Sequence, residues 1–184
     1  MSRAVLILFI SATMVATAGC SSVDATAELT VTGPSFGAAG SKFLPISSVI
    51  ERRCGTLDCH GSAYRPLKIY GQIGMRRPEE PGSTNVKSFK DYYSGGTEPT
   101  TQAELFDNYL SVIGLEPELL DAVVAKKGSP DTLTLVRKPR LREKHKGGLI
   151  WNQSDPGDLC LISWLTSEEG KNDTAPCDQE LSHK

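Results

Sequence analysis

The apolar residues of the chain recur mainly at the spacing of an α-helix. After Pro45, the residues Ile46, Val49 and Ile50 follow at i, i+3 and i+4 spacing, which predicts a helix that runs into Cys54. No long stretch shows the alternation of apolar and polar residues that marks a half-buried strand. The pattern therefore predicts a mainly α-helical domain.

Two further helices are predicted in the middle of the chain. Residues 103–113 form an amphipathic pattern that Gly114 can cap, and Pro117 opens a second pattern that Gly128 stops. The apolar residues expected on one face of the first pattern are Leu105, Phe106, Tyr109, Leu110 and Ile113. Both helices are therefore expected to bury one side in the core.

Long loops are expected between the helices. Residues 71–101 are rich in Gly, Pro, Ser and Thr, which is typical of a loop. Asp155 and Pro156 give an N-cap and a first-turn proline, and they predict the last helix of the core. We expect a small helical domain over residues 43–170, followed by a polar tail over residues 171–184.

The N-terminal segment does not belong to this domain. Residues 1–19 form a short basic start and an apolar run, too short for a membrane-spanning helix of about 20 apolar residues, and they indicate a signal peptide. The small residues before Cys20 resemble the lipobox of bacterial lipoproteins, in which this cysteine is acylated; Ser21 then implies the outer membrane. The alternative is an ordinary cleavage site with an incidental cysteine. Residues 20–42 predict a flexible tether.

Charge and cysteine content narrow the possible functions. The 184 residues include 20 basic and 22 acidic ones, so no basic excess exists to bind nucleic acid. The chain has five cysteines, and assigning Cys20 to a lipid leaves four. In an exported protein, an even number indicates disulfides or a covalent cofactor rather than free thiols. No acid–base pair, nucleophile motif or phosphate loop is recognised, so we do not expect an enzyme.

The sharpest motif of the chain is Cys54-Gly-Thr-Leu-Asp-Cys59-His60-Gly61. A cysteine followed directly by histidine, with another cysteine shortly before, is the attachment pattern of haem c, although four residues separate the cysteines here instead of the usual two. The thiols would form two thioether bonds, and His60 would bind the iron. Two alternatives remain open. Cys54 and Cys59 could form a short disulfide, or Cys54, Cys59 and His60 could bind zinc together with a later residue.

The order of short motifs resembles the cytochrome c-like domains in lipoproteins of myxobacteria and, more loosely, of planctomycetes. In addition to the Cys-His-Gly motif, the segments that carry the resemblance are Ser129-Pro130-Asp131, Leu135 to Pro139, His145 to Gly148, Ser154-Asp155 and Ile162 to Leu165. The resemblance covers about residues 45–168, and the segment 71–115 does not match well. It implies a small helical haem domain that transfers electrons.

The second iron ligand is expected to be His145. Many of these domains use a methionine shortly before the last helix, but the only methionine after the signal peptide is Met75, which lies far from that position. His145 occupies the family's distal segment, and the two glycines after it would let the backbone approach a haem. Met75, His183 and a five-coordinate iron are the alternatives. Two histidine ligands would give a lower potential than histidine with methionine.

Cys160 and Cys177 are interpreted as a disulfide that pins the polar tail to the last helix of the core. Pairing of Cys160 with Cys54 or Cys59 is the alternative that the sequence leaves open. A protein cross-linked in this way and lacking haem would be a binding or structural module.

The segment 137–146 contains six basic residues and one acidic residue. It predicts either a solvated loop or a docking surface for an acidic redox partner. The leading hypothesis is a lipid-anchored protein of the bacterial envelope, facing the periplasm, that carries one haem c and transfers electrons. The haem-free module is the second hypothesis.

Overall fold

The computed structural model describes residues 32–77, 98–167 and 173–183. Their α-helices are α1 (Leu44–Cys54), α2 (Gln102–Ile113), α3 (Pro117–Val124), α4 (Thr134–Arg137), α5 (Pro156–Thr166) and α6 (Ala175–Ser182). Two 3-10 turns, Ala38–Gly40 and Pro130–Thr132, and an isolated bridge between Tyr70 and Met75 complete the regular structure of these ranges. The prediction of a small, mainly α-helical domain is confirmed. None of the helices described is long and apolar enough to cross a membrane.

The helix signals predicted at Pro45 and Gly114 act as expected in α1 and α2. Pro45 lies in the first turn of α1, and the N–H of Gly55 closes its last turn on the carbonyl of Glu51. At the start of α2, Thr101 and Glu104 form a reciprocal capping box, and Gly114 caps the other end. The sequence-derived boundaries of these helices are therefore accurate to within a residue.

The buried face of α2 differs from the expected one. Leu105 and Ile113 are buried as predicted, whereas Phe106 and Leu110 remain almost half exposed. Buried polar residues, Glu104 and Asn108, lie on the inner face instead. They bind backbone and side-chain groups of the loop after α1, and these contacts determine which side of the helix faces inward.

Arg76 binds the loop after α1 to α2 through Glu104. Its guanidinium donates to both carboxylate oxygens of Glu104, at 2.8 and 2.9 Å, and to the carbonyls of Glu98 and Pro99. Burial alone would raise the pKa of Glu104, but the bonds from Arg76 and from the N–H groups of Thr101 and Arg77 outweigh it, so that this pKa lies below its ordinary value. The contacts of Arg76 connect the two chain segments that border residues 78–97.

The core lies among α1, α2, α3 and α5. Its largest fully buried side chains are Trp164, Phe43, Ile46, Ile69, Leu105 and Leu165. Leu161, Trp164 and Leu165 lie on the inner face of α5. Asp155 occupies the N-cap position, but its carboxylate accepts from the N–H of Asn152 and does not bond the first turn of α5.

The domain begins earlier than the expected start at residue 43. The hydroxyl of Tyr109 donates to the carbonyl of Pro34 at 3.0 Å, and the indole of Trp164 donates to the carbonyl of Ser35 at 3.2 Å. The ring of Phe36 packs against Phe43 and Tyr109. Residues 32–42 therefore belong to the domain and not to the predicted tether. The predicted signal peptide, the predicted lipidation site Cys20 and the rest of the predicted tether, residues 21–31, lie outside the described residues.

The C-terminal segment is more ordered than a polar tail. Residues Ala175–Ser182 form α6, which packs on α1 and α5 and buries Cys177 and Glu180. The disulfide joins Cys160 of α5 to Cys177 of α6, which is the pairing favoured by the sequence, and neither cysteine is exposed. The covalent bond thus connects two packed helices.

Loss of this disulfide is expected to destabilise the domain by about 3 kcal/mol, because a cross-link between residues 17 positions apart limits the entropy of the unfolded chain. The double variant Cys160→Ala/Cys177→Ala should therefore unfold at a lower urea concentration than the wild type. The exposed residue Gln179 on the same helix provides the control, since Gln179→Ala should change stability by less than about 0.5 kcal/mol. Equal unfolding midpoints for the double variant and the control would contradict the expectation.

Candidate functional site

The motif around Cys54 forms a tight loop at the end of α1. The N–H of His60 donates to the carbonyl of Cys54 at 2.8 Å, and the N–H of Gly61 donates to the carbonyl of Thr56 at 2.9 Å. A Cβ atom at Gly61 would lie 2.0 Å from the carbonyl oxygen of Gly55, so only glycine fits there. The loop thereby returns His60 to the cysteine with which it begins.

Cys54, Cys59 and His60 line a cavity of about 880 Å³. Its wall is mostly apolar and combines side chains from α1, α4, α5 and the connecting loops: Ile50, Leu67, Leu115, Leu135, Trp151 and Leu161. Both thiols are free in the structure. An apolar cleft with a few convergent polar groups is the usual form of a small-molecule or cofactor site.

His145 lines the same cavity, although it lies far from His60 along the chain. The ring centroids of His60 and His145 are 6.3 Å apart, and the two ring planes differ by 16°. The Nδ1 atom of His60 lies 3.0 Å from the carbonyl oxygen of Leu67, and that of His145 lies 2.9 Å from the carbonyl oxygen of Gly148. Because a carbonyl only accepts, each Nδ1 acts as the donor, and in the neutral imidazole this leaves the lone pair on Nε2.

Burial favours the uncharged forms of Cys54 and His60. Burial lowers the pKa of His60, and electrostatic interactions with His145, Arg65 and Lys138 act in the same direction, against the hydrogen bond to Leu67. Burial and the neighbouring Cys59 raise the pKa of the Cys54 thiol to about 12. His60 is consequently a neutral imidazole at neutral pH, which is the form that binds a metal ion.

His145 lies on a loop that is closed at its base. The N–H of Ile150 donates to the carbonyl of Pro139 at 2.8 Å, and the N–H of Gly148 donates to the carbonyl of His145 at 3.1 Å. Gly148 has a φ of 73°, a conformation that favours glycine. The base of the loop is anchored by Arg140, whose guanidinium binds the buried carboxylate of Asp158 through two hydrogen bonds.

The basic segment divides into paired and unpaired residues. Arg137 and Lys138 both bind the carboxylate of Glu143, Arg140 binds Asp158 and Asp131, and Arg142 donates to Gln153. Lys144 and Lys146 form no ion pair with any residue that the structure describes, and both line the cavity together with Arg65 and Lys138. A part of the segment thus supports the fold, and another part places positive charge at the cavity.

The other candidate ligands lie elsewhere. Met75 is buried in the loop after the motif, where its N–H donates to the carbonyl of Gly61, and His183 ends α6; neither side chain lines the cavity. In the ranges described, no group of three His, Cys, Asp or Glu side chains is arranged so that it could hold a metal ion.

The sequence predicted the four residues that the structure brings together, but not the groups that orient them. The carbonyls of Leu67 and Gly148 fix the two imidazoles, and a backbone carbonyl leaves no signal in a sequence. Trp151 was also missed as a wall of the cavity. No protein-family model, no curated protein and no solved structure matches the chain.

Proposed function

We propose that the protein is a bacterial envelope lipoprotein that binds one haem covalently and transfers electrons. The observation that carries the proposal is the pair of imidazoles across one apolar cavity, beside two free thiols. His60 and His145 would bind the iron through Nε2 from opposite sides, and Cys54 and Cys59 would form the thioether bonds.

The spacing of the two rings supports this arrangement. A metal–imidazole bond is about 2.0–2.1 Å long, and the ring centre lies about 1.1 Å beyond the nitrogen, so two imidazoles on opposite sides of one ion have centroids about 6.3 Å apart. The observed separation is 6.3 Å. The Nδ1–H bonds to Leu67 and Gly148 orient both rings in the manner of metal-binding histidines.

The residues around the cavity would determine what a bound haem does. Haem iron supplies a one-electron couple between its ferrous and ferric states, and two histidine ligands hold that couple at a lower potential than histidine with methionine. The side chains of Ile50, Leu67 and Leu161 would give the haem an apolar environment. Lys144, Lys146 and Arg65 supply positive charge at its edge, which suits an acidic redox partner.

The anchoring expected from the sequence belongs to the same proposal. Lipidation at Cys20 would hold the domain at the outer membrane, facing the periplasm. Nucleic acid is not a proposed partner, since the chain as a whole carries a net charge of −2.

A spectrum of covalently bound haem in the denatured protein tests the proposal. The chain is produced with a cytochrome c maturation system, and the pyridine haemochrome spectrum is recorded after denaturation. Covalent haem is expected in the wild type and should be lost in Cys54→Ala/Cys59→Ala, because the thioethers need both thiols. The control is Cys160→Ala/Cys177→Ala, which removes the two cysteines of the disulfide and should retain the haem. A denatured wild type without haem absorbance would reject the proposal in favour of the haem-free binding module.

A further inference from the structure

Glu180 is a buried carboxylate at the junction of three elements. It lies on α6 and is only 3% exposed. Its Oε1 atom accepts a hydrogen bond from the indole Nε1 of Trp151 at 3.2 Å, and the same carboxylate pairs with Arg53 near the end of α1. A carboxylate is rarely buried without such partners, so its contacts indicate a specific structural task.

Trp151 connects this carboxylate to the cavity. Its side chain lines the cavity, and a Cβ atom on Gly157 of α5 would lie 2.2 Å from its Nε1 atom. The indole thus packs directly on the glycine backbone, with its N–H directed to Glu180. A buried indole N–H needs an acceptor, and Glu180 provides the one found here.

The remaining contacts of α6 lead to the same cavity. Arg52 donates to the carbonyls of Leu181 and His183 at 2.5 and 2.6 Å, so that both arginines next to Cys54 contact α6 or the residue after it. The disulfide at Cys160 joins α6 to α5 beside Leu161, which lines the cavity. The C-terminal helix therefore supports the cavity wall without itself lining it.

We infer that Glu180 is a positioning residue of the haem pocket, which holds the indole of Trp151 in place as a wall of the cavity. The inference rests on the proposed function. Without the Glu180 carboxylate, the indole loses its acceptor and its fixed orientation, and water gains access to the haem. Water near the iron stabilises the ferric form, because that form carries the greater positive charge.

The test separates the charge of Glu180 from its role as an acceptor. Glu180→Gln removes the charge and keeps an oxygen for the indole, whereas Glu180→Ala removes both. The midpoint potential of the haem protein is expected to be lower in Glu180→Ala than in Glu180→Gln. In a Trp151→Phe background, which has no indole N–H, this difference should vanish. Asp178→Asn and Asp178→Ala on the exposed side of α6 are the matched controls and should share one potential.

Three results would overturn the inference. Equal potentials for Glu180→Ala and Glu180→Gln would do so, and so would a difference that persists with Trp151→Phe; both leave the proposed function standing. A wild type without covalent haem would reject the proposed function and this inference together. If Glu180→Ala does not fold, Glu180→Asp is compared with the wild type instead, because both carry the charge and only the reach to the indole is shortened. Its potential should lie below that of the wild type, and this difference should vanish in the Trp151→Phe background; equal potentials with Trp151 present would overturn the inference.

Discussion

Replacing His145 with alanine is expected to convert the oxidised form of the proposed haem protein from a six-coordinate low-spin spectrum to a high-spin one. The imidazole of His145 faces that of His60 across the cavity at 6.3 Å between centroids, and no methionine within residues 32–77, 98–167 and 173–183 lines this cavity. Its removal leaves one face of the iron without a protein ligand. Absorption and electron paramagnetic resonance spectra of the ferric protein measure the change.

Substitutions of the alternative iron ligands, Met75 and His183, are the controls for His145→Ala. Met75→Leu preserves the volume of a buried side chain, and His183→Ala removes an exposed histidine; both should retain the wild-type spectrum. Free imidazole should restore the low-spin spectrum of His145→Ala, because the substitution vacates the space of one ring. An unchanged ferric spectrum in His145→Ala would reject its assignment as a ligand.

The sequence predicts the parts of the fold that depend on neighbouring residues. The helix signals at Pro45, Gly114 and Pro156 act within one turn, and helices begin or end there in the structure. The order of α6 depends instead on Arg52, Arg53 and Cys160, which are 17 to about 130 positions away along the chain. Such contacts leave no periodic pattern, and α6 therefore reads as a polar tail.

The same distinction applies to the inner face of α2 and to the candidate site. Hydrophobicity places Phe106 inside, but Asn108 is buried because it bonds the backbone N–H and carbonyl of Tyr70. At the site, Cys54, Cys59 and His60 are recognisable from their spacing alone. The position of Glu180 behind Trp151 requires the tertiary structure, because nothing in either residue's sequence neighbourhood indicates the other.

Replacing Arg140 with alanine is expected to lower the free energy of unfolding by about 3–5 kcal/mol, because it leaves a buried carboxylate without its cation. The Nε and Nη2 atoms of Arg140 donate to the two oxygens of Asp158 at 2.6 and 2.9 Å, and the two side chains are only 5% and 3% exposed. After the substitution, the remaining hydrogen bond to this carboxylate comes from the N–H of Ser154. Urea unfolding of the wild type and the variant measures the difference.

Asp131 provides the matched comparison within the same cluster. It also pairs with Arg140, but its side chain is 44% exposed, so Asp131→Asn should cost less than about 1 kcal/mol. Similar losses for Arg140→Ala and Asp131→Asn would show that burial does not set the strength of this cluster. Because Arg140 anchors the base of the loop that carries His145, Arg140→Ala should also increase the high-spin fraction of the ferric haem protein, whereas Asp131→Asn should not. The basic segment would then serve the haem site through one buried arginine as well as through its exposed lysines.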